Sequence, residues 1–293
     1  MIPQRVVLVV VALAVVLAPR PRAQQPPALP DVLERVGKYV ETYAGKMSGV
    51  SLEERLLLIE TSQSFMRVPK RIAADVVFVK FDDLLMGLRD PYSIDTRPVR
   101  ERRPDAQPRL VQVLVDPTPA NWETAQRHVR EFAHLLQHNV VVWYSDPIMA
   151  VQFAESANQR KLTYELEDAK TINGVRTLGL EFKEALDGPR ILSSVPGNAI
   201  SSGRLWIDPA TGAIHMTELW VQSDNDIVRV QVEFVPDAKL DLLLPRKATH
   251  TFQWREWGNR IDNPVGTTPM KISFESSAEY LNPRYTPIDL RAR

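Results

Sequence analysis

The sequence predicts an α+β fold in which helices cover one face of an antiparallel sheet. Seven β-rich segments separated by turn signals run from Leu162 to Tyr280, and Val228 to Phe234 alternates cleanly between apolar and polar residues. Two other stretches, Asp31 to Met47 and Pro119 to His138, carry helical periodicity instead. A meander with one apolar face needs helices to cover it, which joins the two halves into one domain. The composition is that of a globular protein: 44% of the 293 residues are hydrophobic and 25% are charged. With 36 Lys and Arg against 36 Asp and Glu, no basic excess favours nucleic acid as a partner.

The chain opens as a secretory leader. Arg5 precedes 13 unbroken apolar residues, Val6 to Ala18, too few for the roughly 20 of a spanning helix. Removal of residues 1–23 leaves a Pro-rich linker, 24–30, and one domain, 31–293, with no retained transmembrane helix. Loss of Arg5, Arg20 and Arg22 leaves 33 basic residues against 36 acidic, so the mature chain is mildly acidic. The sequence has no cysteine, and therefore no disulfide, thiolate metal site, cysteine nucleophile or lipidated N-terminal cysteine. The expected location is periplasmic or extracellular, without a lipid anchor.

In chain order, Asp31 to Met47 is an amphipathic helix with Asp31 as N-cap and Glu34 reaching back to it. Val50 to Ser62 and Arg71 to Phe81 read as strands, the second through the β-formers Val76, Val77, Phe78 and Val79. A short strand follows at Leu84 to Leu88. Arg89 to Pro108, with five arginines and several prolines, reads as an exposed loop, and together with the helix Pro119 to His138 forms an insertion at about 89–138. Val140 to Tyr144 is a short strand and Pro147 to Glu155 a brief helix opening at proline. The seven segments of the meander are Leu162 to Leu166, Val175 to Phe182, Gly203 to Ile207, Ala213 to Val221, Val228 to Phe234, Leu242 to Trp254 and Lys271 to Tyr280. Asn173-Gly174 calls for a tight type I′ hairpin, and Asp208-Pro209-Ala210-Thr211-Gly212 for a longer turn.

The chemical constellations have bland explanations. His134 and His138 stand at i, i+4, but Leu135, Leu136 and Gln137 between them supply no H-E-x-x-H glutamate, so helix-end histidines are expected and no metal site. Glu53/Glu54, Asp82/Asp83 and Asp224/Asp226 are paired carboxylates, and Asp224-Asn225-Asp226 reads as a turn. No G-x-S-x-G elbow, P-loop or dinucleotide fingerprint occurs, so neither an enzyme nor a cofactor is expected. Trp206, Trp220, Trp254 and Trp257 in the meander half either fill a core or line a cavity.

Gly203-Arg204-Leu205-Trp206-Ile207-Asp208-Pro209-Ala210-Thr211-Gly212, followed by Glu218, Glu233-Phe234 and Leu244-Pro245, resembles the outer-membrane lipoprotein-sorting (LolA/LolB-like) superfamily over about Leu162 to Tyr280. The whole mature chain also resembles a group of exported proteins of acidobacteria-like bacteria, a likeness that implies no reaction. The superfamily resemblance implies a strongly curved antiparallel sheet, a half-open β-barrel, with two or three helices packed on its concave side. It further implies a soluble carrier for an apolar or lipid-like ligand in the bacterial envelope. The lining would come from one face of the strands, with Val76, Phe78, Leu180, Phe182, Trp220, Val232 and Phe234 as candidates. Two alternatives stay open: an interaction module with a filled core that works with envelope proteins, and a hydrolase using a carboxylate or histidine cluster such as His134 or Asp226.

Overall fold

The computed structural model describes residues 27–62, 69–81, 84–99, 101, 110–111, 123, 127, 146–192, 199–223, 226–256 and 270–286. Helix α1 spans Leu29–Met47 and buries Val32, Val36, Val40, Tyr43 and Met47 along one stripe. It starts two residues earlier than the sequence suggests. Pro30 lies in its first turn, and the N-cap is Ala28 in extended backbone with no side-chain cap bond. Asp31 is thus inside the first turn, where its charge complements the helix dipole, and Glu34 turns outward to Lys38 at 2.6 Å.

Eleven strands form one antiparallel sheet: β1 Val50–Ser62, β2 Lys70–Phe81, β3 Leu84–Ile94, β4 Arg97–Pro98, β5 Leu162–Ile172, β6 Val175–Glu184, β7 Ile200–Ile207, β8 Ile214–Gln222, β9 Asp226–Asp237, β10 Leu242–Glu256 and β11 Met270–Tyr285. The order is β4-β3-β2-β1-β11-β10-β9-β8-β7-β6-β5, so the first and last strands of the chain pair inside the sheet and β4 and β5 are its edges. The sheet is therefore not closed. Each edge is blunted: β4 has two exposed residues, one of them Pro98, and β5 carries Glu165, Glu167, Asp168 and Lys170 with an irregular register at Glu167/Ala169.

The sheet curls strongly. A 3₁₀ turn, Met149–Ala154, packs against β3 at one side and β7 and β8 at the other. β3 and β7 are seven strand spacings apart in the order, about 34 Å in a flat sheet, whereas six 3₁₀ residues reach only about 12 Å. Only a sheet wrapped around the turn brings both within reach. Helix α1 lies in the same concavity, touching β2, β10 and β5 as well as the 3₁₀ turn and the one-turn helix Ser156–Gln159. Among the described residues α1 is the one long helix and the fold is mostly β. Of the expected helix Pro119 to His138, Glu123 and Arg127 are described, both helical and exposed; His128, His134, His138 and the strand Val140 to Tyr144 lie outside the described residues.

Both expected hairpins form. Asn173 and Gly174 adopt φ of 48° and 82°, as a type I′ turn requires. In the longer turn the Gly212 N–H donates to the Asp208 carbonyl at 2.8 Å, with Gly212 at φ 77°. That turn seats the helix: a Cβ on Gly212 would come within 2.6 Å of the Arg35 carbonyl carbon and oxygen. The expected loop from Arg89 is corrected. β3 continues to Ile94 and Arg89 is 3% exposed.

Candidate functional site

Six of the seven candidate lining residues share the concave face. Val76 and Phe78 on β2, Leu180 and Phe182 on β6, and Val232 and Phe234 on β9 are buried in one core with α1 and the 3₁₀ turn. Phe182 stacks on Phe153 of that turn at 4.6 Å between ring centroids. At these positions the concavity holds the protein's own side chains. Trp220 is on the opposite face: its neighbours Leu219 and Val221 enter the core, while its ring lies 5.7 Å from the Arg204 guanidinium on the convex side. Arg204 also flanks Trp206 at 5.5 Å and bridges Glu167 and Glu218, giving the convex face of β5–β8 a ladder of rings and charges.

The concave side carries a polar cluster around Arg89 that sequence reading missed. Arg89 of β3 donates from Nε and Nη2 to the two carboxylate oxygens of Glu54 at 2.7 and 2.9 Å, with both side chains at most 3% exposed. Tyr280 is the cross-strand neighbour of Glu54, and its phenol, like that of Tyr43, is raised well above its ordinary pKa by burial. Asp146 accepts the Gly87 N–H at 2.8 Å and the Ile148 N–H at 3.1 Å, and burial raises its carboxyl above the ordinary range against the pull of Arg89. The carboxylates Glu53 and Glu54, adjacent in sequence, point to opposite faces of β1 and form no catalytic pair. Asp226, expected in a turn, is instead the first residue of β9 and accepts the Ser223 hydroxyl at 3.2 Å; Asp224, Asp82 and Asp83 lie outside the described residues. Among the described residues no cluster of three His, Asp or Glu side chains could hold a metal ion.

Among the described residues an open cleft lies at the rim. A cleft of about 360 Å³ separates the C-terminal half of α1 from the β9–β10 turn. Its helix wall is Tyr39, Thr42 and Tyr43, the two rings stacked at 5.6 Å; its sheet wall includes Pro236, Leu242 and Leu243. Lys46 of α1 and Asp241 of the turn span its mouth in an ion pair of 2.9 Å, and the ammonium holds the Asp241 carboxyl below the usual carboxylate range. Nothing in the sequence marks this site, because its two walls are 195 residues apart at the ion pair. Tyr39 and Tyr43 stand four apart on the expected amphipathic helix, a spacing that marks a helix face and not a cleft.

No protein-family model matches the chain, and no curated protein matches it. Among solved structures it is similar to an outer membrane lipoprotein-sorting protein domain from Vibrio parahaemolyticus, at 8% identity over 88% of this chain and 94% of that one, TM-score 0.39. A LolA superfamily protein from Nitrosomonas europaea matches at 10% identity over 86% and 94% of the two chains, TM-score 0.31. A DUF1329 family protein from Desulfovibrio piger matches at 11% over 90% and 92%, TM-score 0.36. Similarity this distant carries no argument about ligand or activity, so the cleft has to be judged on its own chemistry. Among the described residues no helix is long and apolar enough to cross a membrane.

Proposed function

We propose that the protein is an exported carrier or binding protein for an apolar, lipid-like ligand, held in the cleft between α1 and the β9–β10 rim. The carrying observation is the cleft itself: about 360 Å³, walled by two stacked tyrosines, a proline and two leucines, with charges only at the mouth. That volume lies within the range of about 300–1,000 Å³ for small-molecule sites, and the lining is of the usual mostly apolar kind. Each methylene withdrawn from water contributes about 0.8 kcal/mol, so eight would give about 6 kcal/mol before ordering costs. Such a ligand is held no tighter than roughly the tens-of-micromolar range, weak enough to be handed on.

The test is native mass spectrometry on protein purified without detergent or refolding, with lipid analysis of what dissociates. A 1:1 acyl-bearing adduct, lost in Leu242→Asp, is expected. A clean apo mass that stays unchanged after incubation with lipid extract would overturn the carrier reading. The packed interior around Phe153 and Phe182 then favours the second reading, an envelope interaction module working through its surface.

A further inference from the structure

We infer, resting on the carrier reading of the rim cleft, that its occupant carries a zwitterionic head, one phosphate and one ammonium, above its acyl chain. Most polar side chains that line the cleft are engaged or withdrawn from solvent, the Tyr43 hydroxyl by burial. The Tyr39 hydroxyl is engaged with the backbone of Ile214, and the Thr42 hydroxyl donates to the Lys38 carbonyl at 3.0 Å. Asp237 Oδ1 accepts the N–H groups of Lys239 and Leu240, both at 3.0 Å, which fixes it in the turn. Lys46 and Asp241 are left, with side chains 47% and 93% exposed and bonded chiefly to each other. An ion pair this exposed is worth little and exchanges partners readily.

The charge balance then selects the head. An anionic head that takes Lys46 leaves Asp241 facing a like charge, and a cationic head that takes Asp241 does the same to Lys46. A neutral head gains from neither. A phosphate on Lys46 with an ammonium on Asp241 exchanges one ion pair for two and leaves no charge unmatched, while the chain lies against Tyr43 and Leu242. The two protein charges stand on different walls, so the head bridges helix and turn across the mouth.

The experiment measures binding, by isothermal titration calorimetry below the micellar concentration, of three single-chain probes with the same acyl chain: lysophosphatidylethanolamine, lysophosphatidylglycerol and a monoacylglycerol. The zwitterionic probe is expected to bind about fivefold tighter than either other. In the surface double variant Lys46→Gln/Asp241→Asn the three should fall within about twofold of one another while chain-dependent binding persists. Equal affinities in the unaltered protein, or tightest binding of the anionic probe, would overturn the head-group inference and leave the carrier reading standing. Failure of all three to bind would overturn the carrier reading as well.

Discussion

Replacing Arg89 by methionine isolates the charge that the concave side holds in place. The guanidinium and the Glu54 carboxylate meet through two hydrogen bonds of 2.7 and 2.9 Å with at most 3% exposure, so water cannot replace either partner. Two unit charges about 4 Å apart interact by about 4 kcal/mol at an effective dielectric of 20, and breaking a buried pair on one side costs about 3–5 kcal/mol. At roughly 2–4 °C per kcal/mol, Arg89→Met should lower Tm by about 10 °C or more. The double variant Glu54→Leu/Arg89→Met removes both charges and both desolvation penalties, and should return to within about 1 kcal/mol of the original protein. Urea unfolding of the three proteins, read as a double-mutant cycle, measures the coupling directly. A single variant losing less than about 1 kcal/mol, or a double variant no better than the single, would refute the assignment of this pair as a mutually compensated buried ion pair.

Asp146→Asn changes the pH dependence of stability. Because burial raises the folded carboxyl above its ordinary value, the folded protein takes up this proton before the unfolded chain does. The penalty for the buried charge is therefore present at high pH, relieved as pH falls through the raised value, and gone below the unfolded pKa of about 4. The original protein should gain stability relative to Asp146→Asn as pH drops from 7 toward that range; parallel curves of Tm against pH would refute it. Gly212→Ala and Gly174→Ala separate backbone strain from helix seating, since both have positive φ but only Gly212 abuts α1. Gly174→Ala should cost about 1–2 kcal/mol in denaturant unfolding and Gly212→Ala more than twice as much. Equal losses would mean that the hairpin does not seat the helix.

Local signals carried most of the elements, and each error has its own physical cause. The two hairpin turns were legible because Asn-Gly and Asp-Pro-Ala-Thr-Gly encode their own geometry. Strand β1 was legible to its last residue, Val50–Ser62. Pro91 made the segment after Leu88 look like a loop; in the structure it lies at a register irregularity of β2 and β3, beyond the reach of the two-residue β4, where a missing N–H costs little. That is why Arg89, read as part of a solvated arginine run, instead faces the core. The face of Trp220 was illegible for another reason: Leu219-Trp220-Val221 is apolar at every position, so alternation gives no phase, and only pairing with Ser202 and Arg229 fixes it outward. The curl of the sheet and the rim cleft are further still from local sequence. They depend on β1 meeting β11 and on Lys46 meeting Asp241, contacts across most of the chain that no periodicity encodes. Six of the apolar residues expected to line a ligand pack in the core with α1 and the 3₁₀ turn, whereas the rim cleft is walled by Tyr39, Tyr43, Leu242 and Leu243.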